Sequence, residues 1–164
     1  MANSNAKVLE EFLKHKDEYV SEAINFGATC PEGAVELKTD LSYVENLDPL
    51  VSMTRRYYQK HLIDDNVAWN ISVVLGTLLG EMIINERGWH WGMYDSGVPV
   101  VETDEGNKAS PITKIHKIII SEEDDEGMPS DFYEGILALE QYYSMSEEER
   151  DAFAASAGLV KHEE

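Results

Sequence analysis

Glu81 is the side chain in this sequence best placed to do chemistry, because it is a carboxylate within an otherwise apolar segment. The segment covers residues 67–84 and has apolar residues at helical spacing. Thr77 and Asn85 stand four residues before and after Glu81, which places all three on one helix face. Because an unpaired buried carboxylate is costly, the sequence predicts that Glu81 has bonding partners nearby.

Two interpretations of Glu81 remain open on the sequence alone. In the structural one, which we favour, Glu81 accepts a hydrogen bond from a tryptophan indole (Trp89 or Trp91), a backbone amide or Arg87, and so locks the helix to the following hairpin. In the catalytic one, Glu81 is a general acid or base that works with His90. A single carboxylate with neither a nucleophile nor a metal beside it is weak evidence of catalysis.

The rest of the sequence lacks the common catalytic and cofactor-binding motifs. There is no His-Glu-x-x-His run, and the single cysteine excludes both a zinc ribbon and an internal disulfide. There is no Gly-x-Ser-x-Gly, Walker-type or Gly-x-Gly-x-x-Gly loop. The sequence therefore predicts no metal site and no cofactor, and it favours a protein that is not an enzyme.

Acidic side chains are the second informative feature. The formal net charge is −19, from 13 basic and 32 acidic side chains, and it is uneven. Residues 1–60 contain 7 Lys/Arg and 10 Asp/Glu, whereas residues 61–164 contain 6 and 22. Such a field repels nucleic acid and anionic membranes and attracts basic surfaces, although solubility alone also explains it. The candidate partner-binding residues are Glu122, Glu123, Asp124, Asp125, Glu126, Asp131 and Glu134.

The acidic run at residues 122–126 is also a candidate calcium loop. It lacks the alternating ligands and central glycine of an EF-hand loop, so a solvated loop is the favoured interpretation, and electrostatic docking of a basic protein ranks between it and calcium binding.

The elements that position these residues follow from the pattern of the sequence. Asp64, Asp65 and Asn66 supply the N-terminal cap of the central helix, and Gly88 is its expected left-handed end. Gly76 and Gly80 lie four residues apart, which predicts close contact of this helix with a neighbouring helix or with the hairpin. Polar residues within the apolar segment favour a buried helix of a globular domain over a membrane span.

The chain after the central helix changes from helical to alternating spacing, which predicts a hairpin of strands over residues 89–94 and 98–103. Trp89 and Trp91 point to one face of the first strand and His90 to the other. Packing of the tryptophans on the central helix is favoured over an exposed binding hot spot.

Other segments have weaker patterns. We predict helices over residues 4–27, 49–61 and 147–158, a helix that begins at Ser130, helical turns over 40–47, and a short strand over 34–38. Ser110-Pro111 opens a further helix, with a strand over 118–120 as the alternative. Ser146 begins a capping box for the last helix.

Residues 67–120 contain a series of short motifs: Leu79-Gly80-Glu81, Gly88-Trp89-His90-Trp91, Pro99-Val100-Val101 and Ser110-Pro111, followed by Lys114 to Lys117. In this order they resemble a family of uncharacterised small bacterial proteins with a Leu-Gly-Glu helix followed by a tryptophan hairpin. The resemblance implies a bacterial, non-secreted α+β protein. It implies no activity and no catalytic residues.

The sequence thus predicts one α+β domain over residues 1–164, with a central buried helix on a small antiparallel hairpin or sheet and four to five helices around it. Its three parts are an N-terminal helical part (1–62), the central helix, hairpin and following helix (63–121), and C-terminal helices (122–164). We expect a cytoplasmic protein, from its one cysteine and the lack of an export signal. The oligomeric state is left open.

Three functions are compatible with these observations. The first is a non-enzymatic inhibitor of the immunity-protein type, which neutralises a basic protein partner. The second is an acidic DNA mimic that occupies a nucleic-acid-binding cleft. The third is a small hydrolase-like enzyme that uses Glu81 and His90.

Overall fold

The computed structural model describes residues 2–94, 96–123 and 127–156. The fold is α+β, as predicted, with a small antiparallel sheet among helices. The helices are α1 (Ala2–Ala28), a 3-10 helix (Leu41–Asn46), α2 (Leu47–Gln59), α3 (Asp65–Arg87), α4 (Pro111–Ile120), α5 (Pro129–Ser144) and α6 (Glu147–Ser156). The strands are β1 (His90–Met93), β2 (Pro99–Glu102) and β3 (Lys108–Ala109).

Helix α3 is the centre of the fold, and its ends have the predicted chemistry. The Asp64 carboxylate accepts a hydrogen bond from the Val67 amide at 2.9 Å and caps the helix. Gly88 ends it with a φ of 72°, in the left-handed region. The helix packs against α1, α2, α4, β2 and the 3-10 helix. By length and composition α3 also resembles a membrane span, a property that core helices of globular proteins share.

Two glycines of α3 allow its neighbours to approach closely. A Cβ on Gly76 would lie 2.6 Å from the Cα of Ile112 in α4, and a Cβ on Gly80 would collide with the Trp91 ring of β1. The predicted contact line is therefore confirmed, and it serves both a helix and the hairpin.

The sheet has the order β1-β2-β3, with both pairs antiparallel. Trp91 pairs with Val101, which in turn pairs with Ala109 of β3. The predicted hairpin is confirmed, and β3 is an additional two-residue strand that the sequence analysis missed. Residues 118–120 are the last turn of α4, so the alternative strand there is wrong.

The strand predicted over residues 34–38 is also wrong, because these residues form no helix or strand. The Val35 amide instead donates to the Gly27 carbonyl at 2.8 Å, and Leu37 is buried. This extended segment is thus tied to the end of α1. Helix α2 begins at Leu47, two residues before the predicted start at residue 49, and the Asp48 carboxylate accepts two hydrogen bonds from Ser130.

The chain divides into two compact units, Met1–Phe132 and Tyr133–Glu164. The first contains α1 to α4 and the sheet, and its core includes Leu50, Leu75, Leu79 and Ile115. In the second, Ser146 and Glu149 exchange two hydrogen bonds at 3.3 and 3.2 Å, which confirms the predicted capping box. The predicted end of the last helix at residue 158 lies outside the described residues.

Candidate functional site: an acidic cleft at three helix ends

Glu81 lies at the junction of α1, α3 and β1. Its Oε2 accepts a hydrogen bond from the Trp91 indole nitrogen at 2.9 Å, and its Oε1 pairs with the Lys16 ammonium at 3.1 Å. The Glu81 side chain is 14% exposed, and the Phe12 ring packs edge-on against Trp91 at 4.8 Å. Both carboxylate oxygens are thus used to join three elements, which is the arrangement expected of a structural carboxylate.

His90 has different partners from Glu81. Because successive residues of a strand face opposite sides, Trp91 is buried while His90 is exposed. The His90 ring nitrogens lie 3.5 Å from the Glu102 carboxylate and 3.7 Å from that of Asp104. Neither Glu81 nor His90 lines either of the two cavities described below. The two candidate catalytic residues therefore share no cavity described here.

The start of the acidic run is held in place by Arg55 of α2. The Arg55 guanidinium donates to the Ser121 carbonyl at 3.2 and 3.3 Å and to the Glu123 carbonyl at 3.1 Å. The Ser121 hydroxyl also donates to the Glu123 carbonyl at 2.7 Å. These bonds fix the backbone beyond α4 and leave the Glu122 and Glu123 side chains exposed. Residues 124–126 lie outside the described residues.

The two candidate residues on α5 are placed differently. The Asp131 carboxylate accepts a hydrogen bond from the Met128 amide at 2.9 Å, at the start of α5. Glu134 is exposed and belongs to the second compact unit. Of the four predicted partner-binding residues that the structure describes, Glu122 lines one of the two cavities.

That cavity is a cleft of about 630 Å³ between the end of α2, the start of α3 and the end of α4. We call it the acidic cleft; it is lined by Tyr58, Gln59, His61, Ile63, Asp64, Asp65, Ile120, Ser121 and Glu122. Among the described residues, the lining contains three carboxylates, one histidine and no lysine or arginine, so the potential in the cleft is negative.

Tyr58 and Asp65 face each other in the acidic cleft. The Tyr58 hydroxyl donates to Asp65 Oδ1 at 2.7 Å, and this bond is the main reason that the pKa of Tyr58 is raised. The charges of Asp65 and Glu122 also raise it, so both carboxylates act on this one phenol. The Asp64 carboxylate is held in turn by the Val67 amide. Two of the three carboxylates are thus oriented before any ligand arrives.

The turn between α2 and α3 forms one side of the acidic cleft. His61 has a φ of 60°, a left-handed conformation that is uncommon for a residue other than glycine. Its amide donates to the Tyr58 carbonyl at 3.0 Å, and the next amide donates to the Tyr57 carbonyl at 2.9 Å. This turn places the end of α2 beside the start of α3 at the edge of the cleft.

Apolar surface adjoins the carboxylates. Ile120, in the lining, is 38% exposed, and Leu62, next to the lining residue His61, is 66% exposed. Trp69, one turn after Asp65 on α3, packs edge-on at 5.1 Å against His116, one turn before Ile120 on α4. Burial lowers the pKa of His116, and the charge of Asp65 opposes that effect. Trp69 is 37% exposed, whereas Trp89 and Trp91 are buried.

A second, smaller cavity of about 230 Å³ lies between α1 and α3. Its lining is Glu22, Phe26, Asn70, Ile71 and Val74, and it is mainly apolar. Within the described parts of the chain, no group of three His, Cys, Asp or Glu side chains could hold a metal ion. The acidic cleft is therefore the site with the most distinctive chemistry.

The sequence analysis found parts of the acidic cleft but not the cleft itself. It assigned Asp64 and Asp65 to a helix cap and Glu122 to an acidic loop, and the structure brings all three to one cavity. Tyr58 and His61 were not singled out. No protein-family model, curated protein or solved structure matches this chain, so the family resemblance stays a prediction.

Proposed function

We propose that this chain is a non-enzymatic binding protein that takes a basic protein partner at the acidic cleft, as an inhibitor of the immunity-protein type. The observation that carries the proposal is the lining of the cleft, which among the described residues has carboxylates from Asp64, Asp65 and Glu122 and no lysine or arginine. A cytoplasmic location and a bacterial origin belong to the same proposal.

Charge supports the proposal at long range. A net charge of −19 steers a basic protein toward this chain, and such steering raises association rates at low salt. The acidic cleft then supplies the short-range contacts. Its carboxylates pair with cations, while Leu62 and Ile120 offer apolar surface that excludes water from the pairs. A basic partner docked in this way has its own functional surface covered.

The other two hypotheses receive less support. A hydrolase-like site needs Glu81 and His90 together, and their partners are different. A DNA mimic shares the charge argument, and it would need carboxylates spaced like phosphates along one face. The acidic cleft instead gathers three carboxylates around one cavity. It therefore favours a localised basic segment of a partner.

The test begins with capture of partners from a lysate at low and high salt, followed by measurement of association with the captured basic protein. In the cleft variant, Asp64→Asn, Asp65→Asn and Glu122→Gln are combined. The control variant combines Glu10→Gln, Glu11→Gln and Glu18→Gln on the exposed face of α1 and changes the net charge by the same amount.

We expect the cleft variant to bind at least about tenfold more weakly than the control variant, because contacts between charged groups at an interface exceed the effect of distant charge. Equal weakening by the two variants would show that net charge alone drives association. Capture of no basic protein at either salt concentration would refute the proposed function itself.

A further inference from the structure

We infer that the ion pair of Lys16 with Glu81 fixes the orientation and register of α1 on α3 and adds no net stability to the fold. The Lys16 ammonium lies 3.1 Å from Glu81 Oε1, and the two side chains are 27% and 14% exposed. Replacement of both members of such a pair by neutral side chains often costs no stability, whereas loss of one member is costly. Stability alone is therefore a poor explanation of the pair.

Apolar burial leaves the rotation of α1 undetermined. In a helix of 3.6 residues per turn, Val8 and Ile24 mark the two edges of an apolar arc of about 160°. The structure buries the middle of this arc, where Phe12 and Ala23 lie. Toward its edges, Val8, Leu13 and Ile24 are 43%, 42% and 38% exposed. A rotation of α1 in either direction would bury one edge of the arc in place of its middle.

Lys16 lies in the middle of the same arc, one turn after Phe12. Its partner is held from the opposite side, because Glu81 Oε2 accepts a hydrogen bond from the Trp91 indole of β1 at 2.9 Å. The position of the Glu81 carboxylate is thus set by α3 and β1 together. It is a fixed point to which α1 must bring a cation.

Other registers of α1 would leave the Glu81 carboxylate without a lysine or an arginine. A rotation by one position brings His15 or Asp17 toward it, and a shift by one turn brings Phe12 or Val20. Asp17 would add repulsion between two carboxylates. Because an unpaired carboxylate at a largely buried site is costly, the pair disfavours these alternatives to the observed register.

The test replaces the pair without a change of net charge. In the pair variant, Lys16→Met is combined with Glu81→Gln, which keeps an oxygen that can accept the bond from the Trp91 indole. The control variant combines Lys14→Met with Glu11→Gln and removes an exposed pair at 3.3 Å from the same helix. A second pair variant with Lys16→Leu shows whether a packing fault of one apolar side chain causes any effect.

Urea unfolding measures stability, and NMR of methyl and aromatic groups measures the register of α1. The contact of the Phe12 and Trp91 rings at 4.8 Å marks the observed register. We expect the pair variant to keep the urea midpoint of the wild type. It should show a second set of signals, populated to at least about 10%, in which methyl groups of Val8 or Leu13 replace the Phe12 ring against Trp91. The control variant should show one set of signals.

One set of signals in the pair variant, with the contact of Phe12 and Trp91 kept, would overturn the inference, because other contacts would then suffice to fix the register. A lower urea midpoint, or failure of both pair variants to fold, would overturn it as well, because the pair would then serve stability. A second set of signals in the control variant would also count against it, since the heterogeneity of α1 would not depend on Lys16 and Glu81.

Discussion

Replacement of Gly76 by alanine tests the packing at the centre of the fold. A Cβ at this position would lie 2.6 Å from the Cα, 2.8 Å from the nitrogen and 2.7 Å from the Cγ1 of Ile112. Two of these atoms belong to the backbone of α4, so no side-chain rotation can relieve the contact. Helix α4 as a whole must move away from α3, and its first turn is held by Pro111 and the Ser110 cap.

The expected effect is the balance of two opposing terms. Alanine is favoured over glycine within a helix by about 1 kcal/mol. Overpacking of a close-packed core typically costs about 1–3 kcal/mol, and a contact with backbone belongs at the upper end. Gly76→Ala should therefore lower the free energy of unfolding by about 1–2 kcal/mol, which corresponds to a fall in Tm of about 2–8 °C for a chain of this size.

Gly135→Ala is the matched control, because Gly135 lies within α5 and a Cβ there would meet nothing within 4 Å. It should cause no loss of stability and a gain of up to about 1 kcal/mol. Urea unfolding followed by tryptophan fluorescence and far-UV circular dichroism gives both values, with the slope m checked for each variant. If the Gly76→Ala protein is as stable as the wild type, α4 can move away from α3 without a loss of stability. That result would refute the claim that the close contact of the two helices requires a glycine.

Three further predictions concern partly buried polar side chains. Glu81→Leu leaves the Trp91 indole and Lys16 without their acceptor, so it should lower the free energy of unfolding in urea by about 1.5–3 kcal/mol. A double-mutant cycle of Glu81→Leu with Lys16→Met that shows no coupling energy would contradict this prediction. Burial lowers the pKa of His116 in the folded protein, so the unfolded chain binds a proton at this residue more readily. The free energy of unfolding should therefore fall as pH drops below about 6.5, the usual pKa of histidine. His116→Gln should make this fall smaller between pH 7.5 and 5. Burial raises the pKa of Asp48, so its stabilising contribution is present at acid pH and is lost as pH rises through the folded pKa. Asp48→Asn should therefore lower the free energy of unfolding only slightly at pH 7, whereas Ser130→Ala should lower it by about 1–3 kcal/mol. A larger loss for Asp48→Asn than for Ser130→Ala in urea unfolding would refute this prediction.

Local chemistry made the central helix predictable from the sequence. An aspartate before the helix and a glycine after it satisfy the free amides and carbonyls at its ends, and Asp64 and Gly88 do this in the structure. The capping box at Ser146 is recognisable for the same reason. Each of these features depends on residues no more than four positions apart.

Features that depend on distant partners were missed or wrong. The alternation over residues 34–38 is compatible with a strand, but the segment bonds through Val35 to the end of α1 and has no strand beside it among the described residues. The strand β3 is two residues long and exists because Ala109 pairs with Val101. No local pattern of two residues could reveal it.

The acidic cleft was unpredictable for the same reason. Two of its walls, the end of α2 and the start of α3, are joined by a short turn, but the third wall is the end of α4, which is distant in the sequence. Tyr58 has no distinguishing pattern of its own. The prediction that Glu81 has bonding partners was possible from the sequence, because an unpaired buried carboxylate is costly in any fold. The sequence could therefore indicate that Glu81 has bonding partners, with an indole, a backbone amide or Arg87 as the alternatives. The structure supplies the Trp91 indole, together with Lys16, which the sequence analysis did not name.

Asp64 and Asp65 have two roles, and this decides how the acidic cleft should be tested. Both lie where negative charge stabilises the start of α3. In addition, Asp64 accepts a hydrogen bond from the Val67 amide, and Asp65 accepts one from the Tyr58 hydroxyl. Alanine at the Asp64 cap would cost about 0.5–2 kcal/mol through the helix alone. Asparagine keeps an acceptor oxygen for each bond and removes the charge. Removal of each charge from the first turn should cost only about 0.3–1 kcal/mol. Loss of partner binding by asparagine variants that remain folded therefore reports the charge of the cleft and not the integrity of the helix.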